Sequence, residues 1–496
     1  MDLRMLFERS LGSQENRVGL EFQQAHYTFG QIERRSNRLA HRLLAAGLEP
    51  GDRVAAYLTN CVELIEIYLA AVKAGLGFTP INILYREGEI DHILSDSQPK
   101  VLFSHRQSAE TIAPAVAGKP QLCHWQVEEM DWLIGGQSDA PPPGALSDDS
   151  IAALVYTSGT TGRPKGAMLT HGNFTANAQN LIKCWRMTGE DRLLLPLPLF
   201  HVHGLGNGLH TWLALGYRLR LLERFQKEAI LRELLDFRPT VFFGVPTMYA
   251  RLLETPPETA REIGRSVRLF VSGSAPLPVA TLEKFQDLFG HVILERYGMT
   301  ETLMNTANPY EGERRPGSVG LPLPNVSIRL CNPDSGREVG EGETGEVLIK
   351  GPNVFSGYWR NASATREAFD VDGYFRSGDL GMRSKDGYYT LQGRFKELII
   401  SGGFNIYPCE VEEFVLRQPG VKEAAVVGLA DSWKGEVPVI FVVPDPKAPA
   451  DLAVLEAACR KGLASFKVPK RFLMVDELPR NALGKVQKHL LSSRLG

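Results

Sequence analysis

Tyr156-Thr-Ser-Gly-Thr-Thr-Gly-Arg-Pro-Lys-Gly-Ala-Met-Leu-Thr-His171 is the stretch that decides how this chain is read. It follows the apolar run Ile151-Ala-Ala-Leu-Val155, which reads as a strand. A strand running into a loop dense in glycine and hydroxyls is suited to hold a polyphosphate. Glycines let the backbone approach closely and turn its N–H groups inward. Ser158, Thr160 and Thr161 add donors, and Lys165 adds a point charge. The loop is not a Walker A motif, because Arg163 follows Gly162 where that motif needs lysine. No Gly-x-Gly-x-x-Gly opens a helix either, so neither a P-loop NTPase nor a dinucleotide-binding protein is supported.

A chain of 496 residues exceeds one ordinary core, so two or more domains are expected. Hydrophobic content of 43% with 23% charged residues is that of a soluble globular protein. A formal net charge of −2 makes no electrostatic case for nucleic acid or an anionic membrane as partner. The six cysteines are scattered without a Cys-x-x-Cys pair and read as free thiols in a reducing compartment, the cytoplasm. The first residues, Met1-Asp-Leu-Arg-Met-Leu-Phe-Glu-Arg9, lack the apolar core of a signal peptide. Leu193 to Tyr217 carries no Asp, Glu, Lys or Arg and is long enough to span a bilayer. Its prolines, histidines and glycines instead indicate a buried, broken segment of strand, loop and helix, and no membrane span is expected.

Short apolar runs alternate with amphipathic helices to about residue 300, as in Arg53–Leu58 (strand) and Val62–Ala74 (helix). Beyond residue 315, Gly- and Pro-rich turns separate Ser327–Leu330, Gly345–Ile349 and Tyr388–Leu391, which reads as a β-rich subdomain. The last hundred residues read as a small α+β unit. The expected fold class is therefore α/β: a large N-terminal domain of αβ layers with a β-rich subdomain over 1–393, and a small α+β C-terminal domain over 394–496.

Further segments carry chemistry by residue type. Tyr297 offers an aromatic face for a base. Glu301 is a hard oxygen donor suited to Mg²⁺. Asp379, between Gly378 and Leu380, can accept from two ribose hydroxyls, or else cap an Asx turn. The spacing His201-x-His203 lacks a third ligand for zinc. Seven segments, in order, resemble those of the adenylate-forming superfamily: the loop from Tyr156, Leu197-Pro-Leu-Phe-His201, Ser272-Gly-Ser-Ala-Pro276, Tyr297-Gly-Met-Thr-Glu-Thr302, Ser377-Gly-Asp379, Gly393-Arg-Phe-Lys396 and Pro479-Arg-Asn-Ala-Leu-Gly-Lys485. That superfamily contains acyl-CoA synthetases, luciferases and peptide-synthetase adenylation domains.

The resemblance implies an acid–thiol ligase that makes an acyl adenylate from ATP and a carboxylic acid, then passes the acyl group to CoA. It implies a C-terminal domain that moves about a hinge between the two steps. Contacts with ATP or AMP are expected from Thr157, Ser158, Gly159, Thr160, Thr161, Lys165, Gly273, Ser274, Ala275, Pro276, Glu295, Arg296, Tyr297, Gly298, Thr300, Asp379 and Arg394. Lys485, Thr161, Glu301 and His201 are expected to be catalytic, with Glu301 and Thr161 holding Mg²⁺. Lys396 is expected at the pivot, with Ser401, Gly402 and Gly403 beside the CoA arm.

For the acid, no Asp follows the segment at His201, which disfavours an α-ammonium. His201, Phe243, Gly244, Val245, Pro246, Thr247, Ser272, Met299 and Met304 are expected to line the pocket, with Arg268 pairing a second carboxylate in bidentate fashion. The run Glu295–Tyr310, followed by Pro316-Gly-Ser-Val-Gly320, is most similar to malonyl-CoA synthetases, so malonate or a methyl-substituted malonate is the leading substrate. An aryl- or medium-chain acyl-CoA ligase, or an enzyme that loads a carrier-protein thiol, is the alternative.

Overall fold

The computed structural model describes residues 1–144, 146–157, 164–402, 404–481 and 484–495. Among them, a nine-stranded sheet is built around parallel strands whose sequences are continuous apolar runs. Arg192–Leu195, Val241–Gly244, Leu269–Ser272 and Leu294–Met299 lie side by side in it, in register Leu193 to Val241, Phe243 to Val271 and Ser272 to Glu295. Both faces of such strands are covered, which is why they read as Leu-Leu-Leu or Val-Phe-Phe without alternation. One cover is an aromatic cluster of Phe242, Tyr249, Phe270, Phe285 and Phe289, with the last two rings stacked 4.2 Å apart.

A six-stranded sheet holds Arg53–Tyr57, Gly77–Pro80, Val101–Ser104 and, at its edge, the hairpin of Ile151–Thr157 and Lys165–Thr170. The charge-free stretch expected to be broken and buried is so. Its strand ends at Leu195, a π-helical turn covers His203–Leu209, and a short helix follows over His210–Leu215. No helix among the described residues is long and apolar enough to cross a membrane.

Beyond residue 320 the chain is antiparallel. Ser327–Cys331, Thr344–Lys350, Phe375–Arg383 and Tyr389–Arg394 form a four-stranded sheet. A 3₁₀ turn, Phe395–Glu397, leads from its last strand into a separate five-stranded sheet with the helices Pro408–Leu416 and Leu452–Gly462. The protein is thus a mixed α/β fold with a large N-terminal, sheet-containing domain and a C-terminal domain. Open α/β sheets bind ligands beyond the carboxyl ends of their strands. Ser272, Gly298 and Thr300 lie at that end here.

Candidate active site

The strand Leu294–Met299 points successive side chains to opposite faces, and that alternation divides the site in two. On one face, the Tyr297 hydroxyl donates to Asp379 Oδ2 at 2.6 Å. Asp379 Oδ1 pairs with Arg394 Nε at 2.7 Å, and its N–H donates to Ser377 Oγ at 3.0 Å. Burial, then the Asp379 charge, holds the Tyr297 phenol well above its ordinary value. Gly298 is glycine for space, since a Cβ there would sit 1.9 Å from the Leu303 carbonyl oxygen. Thr300 is buried beside it.

Glu301 follows at the mouth. Its Oε1 accepts from Thr157 Oγ1 at 3.3 Å and from Tyr358 Oη at 3.1 Å, and burial raises its carboxyl. Lys165, register partner of Thr157 across the hairpin, lies 5.2 Å over the Tyr358 ring. One buried carboxylate among hydroxyls fits a magnesium ion that draws its other ligands from phosphate and water. Ser158, Gly159, Thr160 and Thr161 lie outside the described residues, as does Gly403. Glu295 is fully enclosed by the turn that contains Ser274, Ala275 and Pro276. Its Oε1 accepts from Leu277 N–H at 3.0 Å, its Oε2 has no partner, and burial pushes the carboxyl up to about 8.

Arg296 reaches the opposite face, toward His201 and not toward Tyr297. Its guanidinium lies directly on Gly273, where a Cβ would come within 2.3 Å of Cζ. Gly273 therefore serves Arg296 by leaving it room. Arg296 Nε and Nη2 are buried without a hydrogen-bond partner, and so is Ser272 Oγ. Burial lowers the guanidinium to about 9. His201 Nδ1 accepts from the His203 N–H at 3.1 Å, which leaves the ring proton on Nε2. Burial, with Arg296 nearby, lowers His201 to about 4, so the imidazole is a neutral donor across the physiological range. Ser274, at φ +70°, is held in the left-handed region, and its Oγ lies 3.0 Å from His203 Nδ1. Met304 is fully buried, with its N–H on Asn177 Oδ1 at 3.1 Å, and Met299 is half-buried.

Lys485 comes to this site from the other domain. Its ammonium is lowered below the usual lysine value by burial first and by Arg394 next, with Asp379 opposing. Its loop is seated on the first turn of the helix Pro246–Leu252, so closely that a Cβ on Gly484 would lie 2.5 Å from Thr247 Oγ1. Residues 301, 379, 394 and 485 therefore converge from three segments, Asp379 and Arg394 being register partners on neighbouring strands. Lys396 sits in the 3₁₀ turn between the two sheets. Ser401 is buried and Gly402, at φ +57°, donates to Lys434 O at 2.7 Å, with exposed Ile400 and Phe404 on either side.

Arg268 is a correction. Its Nε and Nη2 grip Asp191 Oδ1 and Oδ2 at 2.8 and 2.7 Å, and its remaining donors reach the carbonyls of Trp185 and Arg186 at 3.1 and 3.2 Å. It precedes the strand Leu269–Ser272, whereas the pocket lies past the other end, roughly 13 Å away at strand rise. Both forks are spent on the fold. Arg268→Ala is expected to cost about 2–3 kcal/mol, because buried Asp191 loses its counter-ion and keeps only the hydrogen bonds from Thr240 Oγ1 and the Thr188 N–H. A lowered Tm with an unchanged ratio of activities among acids is the expected result. A changed ratio would return Arg268 to the pocket.

Sequence reasoning missed Tyr358, which holds Glu301, and named Thr247 only as a pocket residue, not as the seat of the lysine loop. Neither carries a motif of its own. The direction of Arg296 was legible in principle, because neighbours on a strand point to opposite faces and Tyr297 takes the other one.

Residues 7–359 match the AMP-binding enzyme family, and residues 410–485 match the AMP-binding enzyme C-terminal domain. A feruloyl-CoA synthase of Amycolatopsis sp is 39% identical, over 95% of this chain and 94% of that protein. A malonate–CoA ligase of Arabidopsis thaliana is 31% identical, over 97% and 86%. The ATP-bound structure of MatB from Rhodopseudomonas palustris superposes with a TM-score of 0.94 at 39% identity, covering 100% of this chain and 99% of that one. With the lysine, acid and tyrosine of the site converging as they do, the chain belongs to the AMP-binding enzymes of the adenylate-forming superfamily and is an AMP-forming acyl-CoA ligase.

Proposed function

We propose that the enzyme converts malonate, or a methyl-substituted malonate, with ATP and CoA to the CoA thioester, AMP and pyrophosphate. The observation that carries this reading is Arg296: a buried guanidinium near His201, with Nε and Nη2 unpartnered. Leaving such a cation unpaired is costly, and a second anionic group on the acid offsets the cost with a bidentate contact. Malonate supplies it one carbon from the reacting carboxylate. The malonate–CoA ligase among the relatives supports the same class. The feruloyl-CoA synthase favours an aromatic acid as second reading.

The reacting carboxylate is already anionic, so no general base is needed. The difficulty is its approach to a polyanionic triphosphate, and the remedy is electrostatic. Tyr297 and Asp379 hold the nucleoside. Lys165 and the Thr157 hydroxyl face the leaving phosphates. The neutral Nε2–H of His201 is placed to orient the acid. Lys485 brings positive charge to the α-phosphate and the attacking oxygen. Mg²⁺ on Glu301 supplies further charge neutralisation when bound. In the second step the C-terminal domain, taken as 394–496, turns about Lys396, Lys485 withdraws, and the turn at Ser401–Gly402 admits the pantetheine arm. The thiol adds to the acyl carbon and AMP leaves. The six unpaired cysteines support a reducing, cytoplasmic compartment.

The test is a panel of malonate, methylmalonate, sulfoacetate, acetate, octanoate and ferulate, read by pyrophosphate release and by thioester formation with free CoA or a holo-carrier protein. Malonate should exceed acetate in kcat/KM by at least about a hundredfold, because an acid lacking the second anion leaves Arg296 unpaired. Ferulate turning over while malonate stays inert would establish the second reading instead.

A further inference from the structure

We infer that the Glu423–Arg480 ion pair is a positioning device for Lys485: it sets the loop that carries the lysine into the adenylation site. This rests on Lys485 being the adenylation lysine.

Arg480 uses its guanidinium as a bridge. Nη2 pairs with Glu423 Oε2 at 2.6 Å, on the strand Val421–Asp431 of the C-terminal sheet. Nη1 donates to the carbonyl oxygen of Gly484, the residue immediately before Lys485. The same turn is tied by the backbone. Asn481 N–H donates to Lys485 O at 2.9 Å, and Gly484 N–H donates to Asn481 O at 2.9 Å. Lys485 N–H donates to Asn481 Oδ1 at 2.9 Å. Those bonds give the turn its shape but leave its angle to the sheet open. The guanidinium supplies that angle, because a planar fork fixes two acceptors relative to each other where a flexible amine would not. Past the lysine, Lys488 pairs with Glu412 at 2.7 Å and with Glu397, next to the pivot, at 3.6 Å. Both stems of the lysine loop are thus anchored to the moving domain, and Glu423–Arg480 is the anchor that touches the peptide preceding the lysine.

A surface ion pair is worth little to folding when its members are about a third exposed, as here. Its value is geometric. Misplacing a reacting group by about 1 Å can cost about a hundredfold in rate. The pair should therefore matter in the step that uses Lys485 and not in the step from which Lys485 is withdrawn.

The experiment measures both half-reactions in the full chain: ATP–pyrophosphate exchange with the best acid of the panel, and thioester formation from supplied acyl adenylate and CoA. Glu423→Ala is expected to lower the first about ten- to a hundredfold and leave the second within about twofold. Arg480→Lys, which keeps the charge and loses the fork, should show the same split. Glu423→Gln, which keeps an acceptor, should recover part of the loss. Equal loss in both half-reactions, or no loss in either, would overturn the positioning role. Lys485→Ala is run alongside. If it adenylates normally, the assignment of Lys485 itself fails; if it is inactive while Glu423→Ala and Arg480→Lys are normal, only the clamp fails.

Discussion

Arg296→Leu is expected to lower kcat/KM for malonate by about 10²–10³ while kcat/KM for butyrate rises. The estimate follows from what the side chain does in the free enzyme. Its Nε and Nη2 have no partner, its charge is buried, and its neighbours His201 and His203 are both lowered by burial and so stay neutral. Tyr249 offers no relief: its hydroxyl donates to Val271 O at 2.7 Å and accepts from neither Arg296 Nε nor Nη2. The site has in effect set aside two converging donors for an anion. Losing one partner of a desolvated charge pair costs about 2–5 kcal/mol, which brackets the expected fold-change. Leucine fills much of the vacated space with apolar surface, hence the gain for an acid whose far end is a methyl. Misfolding is not the cause to fear: replacing a buried, unpaired charge with a hydrocarbon leaves stability unchanged or raises it, so the Tm should not fall. The apparent KM for ATP should stay within about threefold, because Arg296 and Tyr297 leave the strand on opposite faces. Malonate turnover within about tenfold of the parent would remove Arg296 from substrate recognition.

The parallel strands announced themselves as unbroken apolar runs such as Val241-Phe-Phe, and the β-rich segment as short strands between glycine turns. Tyr297, Glu301, Asp379 and Lys485 were recognisable one by one, and the fold brings them together. The error over Arg268 has a simple cause. An arginine touching a strand in sequence says nothing about which end of the strand faces the ligand, and its partner Asp191 lies 77 residues away. Arg296 was hidden by the opposite effect. It stands inside a motif whose other residues were expected to serve the nucleotide, and only the two-residue period of the strand separates it from Tyr297. Thr247 and Gly484 belong to different domains, so their contact exists only once the C-terminal domain is docked. Long-range pairings of this kind have no local signal to read.

Gly484→Ala is the second large effect: adenylation should fall about a hundredfold, with thioester formation from supplied acyl adenylate retained. Two physical terms act at this position. The residue has φ +75°, where an L side chain costs about 1–2 kcal/mol. In addition, its Cβ would lie 2.5 Å from Thr247 Oγ1 and 3.0 Å from Cγ2, on a short, stiff side chain next to Pro246. The contact can be relieved only by lifting the loop, and lifting it withdraws the Lys485 ammonium from Arg394 and Asp379. The two terms separate in a double variant. Gly484→Ala with Thr247→Ala removes both clashing atoms but not the backbone strain. It should therefore recover adenylation to within about tenfold of the Thr247→Ala single variant, the residue of 1–2 kcal/mol. Thioester formation makes the sharper control. If the C-terminal domain turns away in that step, as proposed above, the loop leaves Thr247, the steric term vanishes and only the strain within the loop persists. A Gly484→Ala enzyme equally impaired in both steps would mean that the glycine is needed to form the lysine loop, and that its seat on Thr247 contributes nothing to the reaction.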